Sequence, residues 1–370
     1  MTTTTATTRR PAASLSGRAQ PLARRMGRWH KWLGLALGLL WLVQAATGSL
    51  ITFHWELTDL ARRAPGAAHP FDAARLAARI EALEAGGWQL SSAWTSAGLA
   101  GRYQLSLSKG EATRHLTLAA DGTPLAEGET RADALSDFLV ELHQTLKADD
   151  KGGWAIGIGG AGLAVMLALG LVAVWPRRGR FVRALRPGPV ASARVRPLAW
   201  HRALGLWAAA PALLMATTGT AMVFDDGFRA LLGGARPDHA SHPGPVRVDL
   251  AAALATALAA APGSRLTAII GMPTAADATY RFRLLAPGEW RRAYGTSMVD
   301  IDAGTGAVAL LYTPATTTFG QRLADSLYAL HTGEVAGWPG RLLVTATGLW
   351  LVVMIALGFA SWWRRRGQAS

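Results

Sequence analysis

The 370-residue chain has no cysteine. That excludes disulfides, thiolate chemistry, Cys-ligated iron–sulfur clusters and covalent attachment of a c-type haem. No glycine-rich loop follows a strand pattern, so no NAD or flavin domain is expected. His-Glu-x-x-His and a Ser-His-Asp context are missing as well. Acids are few, 24 against 38 Lys and Arg. The long apolar segments carry no acid, so the paired intramembrane carboxylates of proton-driven transport are absent.

What the chain has is hydrophobicity, half of its residues, with 15 Trp. Trp32–Phe53, Trp154–Trp175, Ala203–Phe224 and Leu342–Trp363 are apolar runs of 22 residues. At about 1.5 Å per residue each covers roughly 33 Å, enough for a bilayer core of about 30 Å. Four transmembrane helices are therefore expected. The first run lacks a small-residue cleavage site and is expected to be retained.

The formal charge of +14 is unevenly spread. Residues 1–31 contain Arg9, Arg10, Arg18, Arg24, Arg25, Arg28 and Lys31 and no acid; the connection Pro176–Trp200 contains seven arginines, again with no acid. The connections 54–153 and 225–338 hold more acids than bases. The positive-inside rule then puts both termini and the middle loop in the cytoplasm and both long connections on the opposite side of the membrane. Because these arginines flank membrane spans, they read as a topology signal and nucleic acid is not an expected partner.

The chain repeats itself. Trp29-His30-Lys31-Trp32-Leu33-Gly34-Leu35 matches Trp200-His201-Arg202-Ala203-Leu204-Gly205-Leu206, and at that offset Thr47-Gly48 falls on Thr218-Gly219 and Phe53 on Phe224. At a second offset Leu142-His143 falls on Leu330-His331, Gly160 on Gly348, Gly170 on Gly358 and Trp175 on Trp363. The fold class expected is membrane α-helical: a duplicated two-helix unit with two periplasmic α+β inserts. The parts are a disordered tail 1–24, a span in 25–53, an insert 54–133, an amphipathic helix plus span in 134–175 and a basic loop 176–199. A span in 200–224, an insert 225–318, an amphipathic helix plus span in 319–363 and a tail 364–370 complete it. The first insert reads as a helix Phe71–Ala85 and strands Trp88–Trp94, Arg102–Ser108 and Thr113–Ala119. The second reads as a helix Val248–Ala261 and strands Arg265–Ile270, Thr279–Leu285 and Ser297–Ile301. Segments 65–70 and 236–245 read as linkers.

Four histidines at equivalent places in repeated membrane helices are what two bis-histidine haem sites require. His30 and His201 both begin outward-going helices, and His143 and His331 both precede returning ones. Depth pairs His30 with His201 and His143 with His331. All four are the candidate cofactor-binding residues and axial ligands of the haem iron, with two haems b per chain expected. Gly34, Gly38 and Gly205 would leave room for a porphyrin edge; close helix packing accounts for them equally well. Arg28, Lys31, Arg196 and Arg202 would pair with propionates or anchor helix ends. A lone histidine here would be an interfacial residue, and imidazole also suits zinc, copper or nickel. His143 and His331 stand 11 residues before their spans, so Gly152-Gly153 and Pro339-Gly340 are candidate bends. His54 has no histidine at the repeat position, which is Asp225, and Asp238-His239-Ala240-Ser241-His242 reads as a loop or a weak metal site.

The paired Trp-His-x-x-Leu-Gly starts, the Leu-His pair and the strand–turn–strand unit Val299-Asp300-Ile301-Asp302-Ala303-Gly304-Thr305-Gly306-Ala307-Val308 resemble the bacterial PepSY-associated transmembrane proteins. The turn of the first insert, Leu118–Pro124, departs from that pattern. The resemblance implies an iron-linked inner-membrane protein carrying haem b, of the kind that includes ferric-siderophore reductases. The partners it implies are a periplasmic ferric siderophore or similar chelate, an electron donor that is a quinol or a cytoplasmic reductase, and membrane lipid. A non-enzymatic module binding a protein or peptide through the inserts, and a subunit for siderophore transport, are the alternatives.

Overall fold

A computed structural model describes residues 16–62, 69–96, 101–176, 179–188, 192–193, 195–239, 241–291 and 293–366. Arg9, Arg10, Arg177, Arg178 and Arg194, and most of the linker expected at 65–70, lie outside the described residues.

The first half begins with α1 (Ser16–Ile51), which starts ahead of Arg25, and a short α2 (His54–Arg62). Helix α3 (Ala73–Ala85) and strands β1 (Gln89–Thr95), β2 (Arg102–Lys109), β3 (Ala112–Ala119) and β4 (Pro124–Glu127) follow. Then come α4 (Arg131–Thr145), α5 (Asp149–Val174) and the short α6 (Phe181–Ala184). The second half has α7 (Arg196–Leu204), α8 (Ala209–Val223), α9 (Asp225–Leu231) and α10 (Leu250–Ala260). Strands β5 (Arg265–Gly271), β6 (Thr279–Leu285), β7 (Ser297–Asp302) and β8 (Val308–Tyr312) lead to α11 (Phe319–Asp325), α12 (Leu327–Thr332) and α13 (Gly337–Arg366). Helices α1, α5 and α13 are long and apolar enough to cross a membrane, and α7 with α8 makes a fourth candidate, bent by 70°.

Pro211 explains the bend. It lies in the first turn of α8, where its missing N–H costs nothing, but its ring denies a helix running through from Trp207. At the repeat offset the first half has Leu40, and α1 is unbroken. Trp350 repairs the break by donating its indole N–H to the Leu204 carbonyl, 2.9 Å away. Helix α5 packs closely on both neighbours through glycine: a Cβ at Gly159 would strike Leu40, and one at Gly160 would strike Thr220. With little hydrophobic drive between helices in lipid, such close approach is what holds a bundle together.

Both expected inserts form, with their helices and strands within a few residues of the positions read from the sequence. They are not two domains. The strands make one antiparallel sheet in the order β4-β3-β2-β1-β5-β6-β7-β8, joined where Ala93 faces Ile269 and Trp94 faces Ala268. Strand alternation sends Tyr103, Leu105 and Leu107 to a core under α3 and α10, shared with Leu250, Leu254, Phe282 and Ile301. Bonds cross the seam: Tyr103 donates to the Leu266 carbonyl at 2.9 Å and Leu250 N–H donates to Glu81 at 2.8 Å. The turn after β3, irregular in sequence, still closes a hairpin, with Gly122 at φ +81°.

The chain does not bend at Gly152-Gly153 or Pro339-Gly340, which lie inside α5 and α13. It reverses earlier. Leu146, Lys147 and Asp149 take left-handed conformations after α4, and Gly333 does so after α12. The reversals fold α4 and α12 back beside the spans. Gly152 and Gly340 allow this contact, since a Cβ on either would run into the carbonyl of Thr145 or Gly333.

Candidate functional site

The four histidines come together as two pairs. The rings of His30 and His201 are 5.9 Å apart, centroid to centroid, and those of His143 and His331 are 6.4 Å apart. The pairs lie at opposite ends of the bundle. Gly48, which touches His143, is 18 residues along α1 from His30, about 27 Å at the helical rise. The second pair therefore lies inside the sheet-side ends of α1 and α8 and does not stand above the spans as an unbroken helix would have placed it.

Each histidine sits in the same kind of notch on a neighbouring helix. His30 Nδ1 lies 2.9 Å from the Met166 carbonyl, His201 Nδ1 3.0 Å from that of Met354, and His331 Nδ1 3.0 Å from that of Met215. His143 bonds the Gln44 carbonyl. Four residues after each of these carbonyls is a glycine against the ring: Gly170, Gly358, Gly219 and Gly48. A Cβ there would lie 2.8 Å from His30 Cε1, 2.9 Å from His331 Cε1 and 2.9 Å from His143 Cε1, and 3.6 Å from His201 Cε1. Position i+4 is one turn on, on the same helix face, so the notch is a carbonyl with the methyl above it removed.

These bonds set the tautomer. A carbonyl only accepts, so each Nδ1 carries the proton and each neutral ring keeps its lone pair on Nε2. In the sheet-side pair the threonines agree. Thr47 donates its hydroxyl to the Val43 carbonyl at 2.7 Å, leaving its oxygen as acceptor 3.0 Å from His143 Nδ1. Thr218 does the same with Leu214 at 2.7 Å, and its oxygen is 3.2 Å from His331 Nδ1. A backbone carbonyl on the far ring nitrogen is the usual way a metal-binding histidine is oriented.

The donor set fits haem. With metal–nitrogen bonds of about 2 Å, two imidazoles on opposite sides of one iron have ring centroids roughly 6 Å apart. Beside His30 and His201 is a cavity of about 400 Å³, lined largely by small or apolar residues such as Gly170, Gly205, Ala173 and Leu167. Among the described residues no three His, Cys, Asp or Glu converge as a metal site, so each pair offers only the two ligands.

Other sequence expectations fare differently. Gly205 does line the cavity, but Gly34 faces open space and Gly38 meets the Phe359 ring. Of the four candidate propionate partners Arg202 lines the cavity, joined by Arg24; Lys31 instead lies over the Trp32 ring at 4.5 Å. His54 bonds Ser136 at 2.6 Å, two turns before His143 on α4. Its burial beside Arg341 pushes its pKa down to about 4. His239 is no solvated loop residue: its Nε2 is 2.7 Å from Asp277 and its Nδ1 2.8 Å from Asp300, while His242 Nε2 is 2.7 Å from Asp302. The carbonyl acceptors were missed, although Met at 166, 215 and 354, each four before a glycine, was there to be read.

A family model described as PepSY-associated TM region matches residues 27–365, a stretch that holds both histidine pairs, the sheet and the apolar runs of all four candidate spans. The chain belongs to the PepSY-associated TM region family. It is thus a membrane protein by family as well as by its apolar helices. Comparison with curated proteins finds no match. Within the PepSY-associated frame, the four notches are features of this chain's own residues.

Proposed function

We propose that the protein is a di-haem b oxidoreductase of the bacterial inner membrane that passes electrons to a periplasmic ferric siderophore or similar ferric chelate. In this reading the spans are a duplicated two-helix unit. The arginine-rich termini and the loop 176–199 face the cytoplasm, and the sheet stands in the periplasm, as the charge asymmetry supports.

The observation that carries the reading is the set of four notches, which give two pairs of histidines with Nδ1 pinned and Nε2 free. His30 with His201 and His143 with His331 would hold one haem b each, which supplies reversible one-electron chemistry when bound. The chain's residues do the rest. The Met166, Met354, Met215 and Gln44 carbonyls hold the rings and raise the basicity of Nε2. The apolar helices around them exclude water. The donor is a quinol or a cytoplasmic reductase; one quinol releases two electrons and two protons and so serves two ferric chelates, each taking one electron to become ferrous. Hard-oxygen chelators hold ferrous iron less tightly than ferric, so the electron frees the metal.

The test is a pyridine haemochrome assay with a reduced-minus-oxidised absorbance spectrum of the purified protein. Two haems b per chain with bis-imidazole spectra are expected, and reduced protein should be reoxidised by ferric chelates anaerobically. A folded preparation without haem overturns the proposal in favour of a partner-binding module.

A further inference from the structure

The two histidine pairs are not held alike. All four notches have a glycine against the ring, but the residue just before that glycine divides them by pair. It is Thr47 and Thr218 beside His143 and His331, and Leu169 and Leu357 beside His30 and His201. The threonine oxygens reach the rings, at 3.0 Å from His143 Nδ1 and 3.2 Å from His331 Nδ1. Each sheet-side Nδ1–H is therefore shared between a backbone carbonyl and a hydroxyl. A leucine has no such oxygen. Among the described residues, His30 and His201 give their Nδ1–H to the Met166 and Met354 carbonyls alone.

Both hydroxyls are set as acceptors. Thr47 and Thr218 are each 5% exposed, and they donate back along their own helices to Val43 and Leu214 at 2.7 Å. A hydroxyl that donates is a better acceptor, and a dry interior strengthens the effect. Back-bonding is ordinary for threonine inside a helix. Its placement here carries the meaning, since it occurs at both notches of one pair and at neither of the other. A second acceptor draws the Nδ1 proton further from the ring and makes Nε2 a stronger ligand. A stronger imidazole ligand favours ferric over ferrous iron and so lowers the midpoint potential. Charge points the same way. Arg24 and Arg202 line the cavity beside His30 and His201, and no acid does. Positive charge favours the form that carries the extra electron and raises the potential there. At the sheet-side end Arg341 donates to Glu56 at 2.8 Å, which offsets its charge.

We propose that the Thr47 and Thr218 hydroxyls make the sheet-side pair the low-potential centre of the chain, so that the electron leaves from the stronger reductant. The inference rests on the haem reading above. An outward electron moves toward the positive side of an energised membrane, which offsets the step between the pairs. The test is optical redox potentiometry of the full-length protein in detergent. Two midpoints are expected, and His201→Ala, which keeps the sheet-side pair, should retain the lower one. Thr47→Val with Thr218→Val removes the hydroxyls and leaves each ring its carbonyl. The lower midpoint should then rise by about 59 mV, a tenfold change in a one-electron equilibrium and the size expected of two modest hydrogen bonds. Each single Val variant should move it part of the way, and the upper midpoint should stay in place. Thr47→Ser with Thr218→Ser keeps the hydroxyls and should keep the potential. A lower midpoint that ignores the Val substitutions overturns the inference, and so does a Ser variant that shifts as far as the Val variant. Either result leaves the two haems standing, whereas a folded protein without haem removes the haem reading and this inference with it.

Discussion

Glycine 170 offers a one-methyl test of the notches. An alanine there puts Cβ 2.8 Å from His30 Cε1 and 3.0 Å from its Nδ1. Carbon atoms rest at about 3.5–4.0 Å, so the ring must retreat by roughly 0.7 Å or more. Its Nδ1 bond to Met166, now 2.9 Å, then stretches toward 3.5 Å, the limit of a hydrogen bond. Overpacking costs about 1–3 kcal/mol and the lost bond about 1 kcal/mol, so about 2–4 kcal/mol, some 30- to 800-fold, should come off haem affinity at that pair. At the repeat-related Gly358 the new methyl would be 3.6 Å from His201 Cε1, ordinary contact, so Gly358→Ala should keep its haem. Haem content by pyridine haemochrome and the Soret spectrum of each variant provide the readout. Equal retention by the two variants would show that the notch does not position the ligand, and equal loss would point to helix packing as the cause.

Three further outcomes are expected. His201→Ala should remove the haem at the sheet-distal pair and leave the other, measured by haem stoichiometry; loss of both indicates misfolding, and loss of neither refutes the pairing. The cysteine-free chain gives a clean topology assay: Glu111→Cys and Thr274→Cys, both at exposed sheet-side positions, should react with an impermeant maleimide in intact spheroplasts, and labelling only after lysis reverses the orientation. His239 has a raised pKa, first through its bond to Asp277. Its contribution is thus complete below the unfolded-state value of about 6.5 and fades as pH climbs through the higher folded value. The stability gap between the protein and His239→Gln should narrow from pH 6 to pH 9 in thermal unfolding; a gap that widens contradicts the clasp.

Histidine pairing was legible because repeat offsets record equivalence in three dimensions: His30 with His201 and His143 with His331 follow from helix direction alone. Helix α3 and strand β6 were legible from local patterns, the first fixed by an Asp72 cap that accepts the Arg75 N–H. The seam between β1 and β5 was not, since two facing residue pairs joining segments some 175 positions apart leave no local trace. Nor were the reversals after α4 and α12. Leu146 and Lys147 adopt left-handed backbone without the glycine that usually announces it. The notches lay between the two levels. Their glycines were visible in the repeat, but a carbonyl has no side-chain identity, and only packing shows that Met166, Met215 and Met354 lend their backbones to a ring on another helix. Gln44 completes the set where the repeat offset pairs it with Met215, and its amide nitrogen is buried without a hydrogen-bond partner.

Proteins that carry solutes by alternating access rock one structural repeat against the other about a fixed site. The shared sheet denies this chain that hinge. Tyr103 and Leu266, Glu81 and Leu250, and the Trp94–Ala268 register stitch the two halves together at the end where a gate would have to part. Opening would tear a β-ladder and split a common core. A scaffold laced in this way suits cargo that needs no doorway, and an electron, which tunnels between fixed centres, is such a cargo.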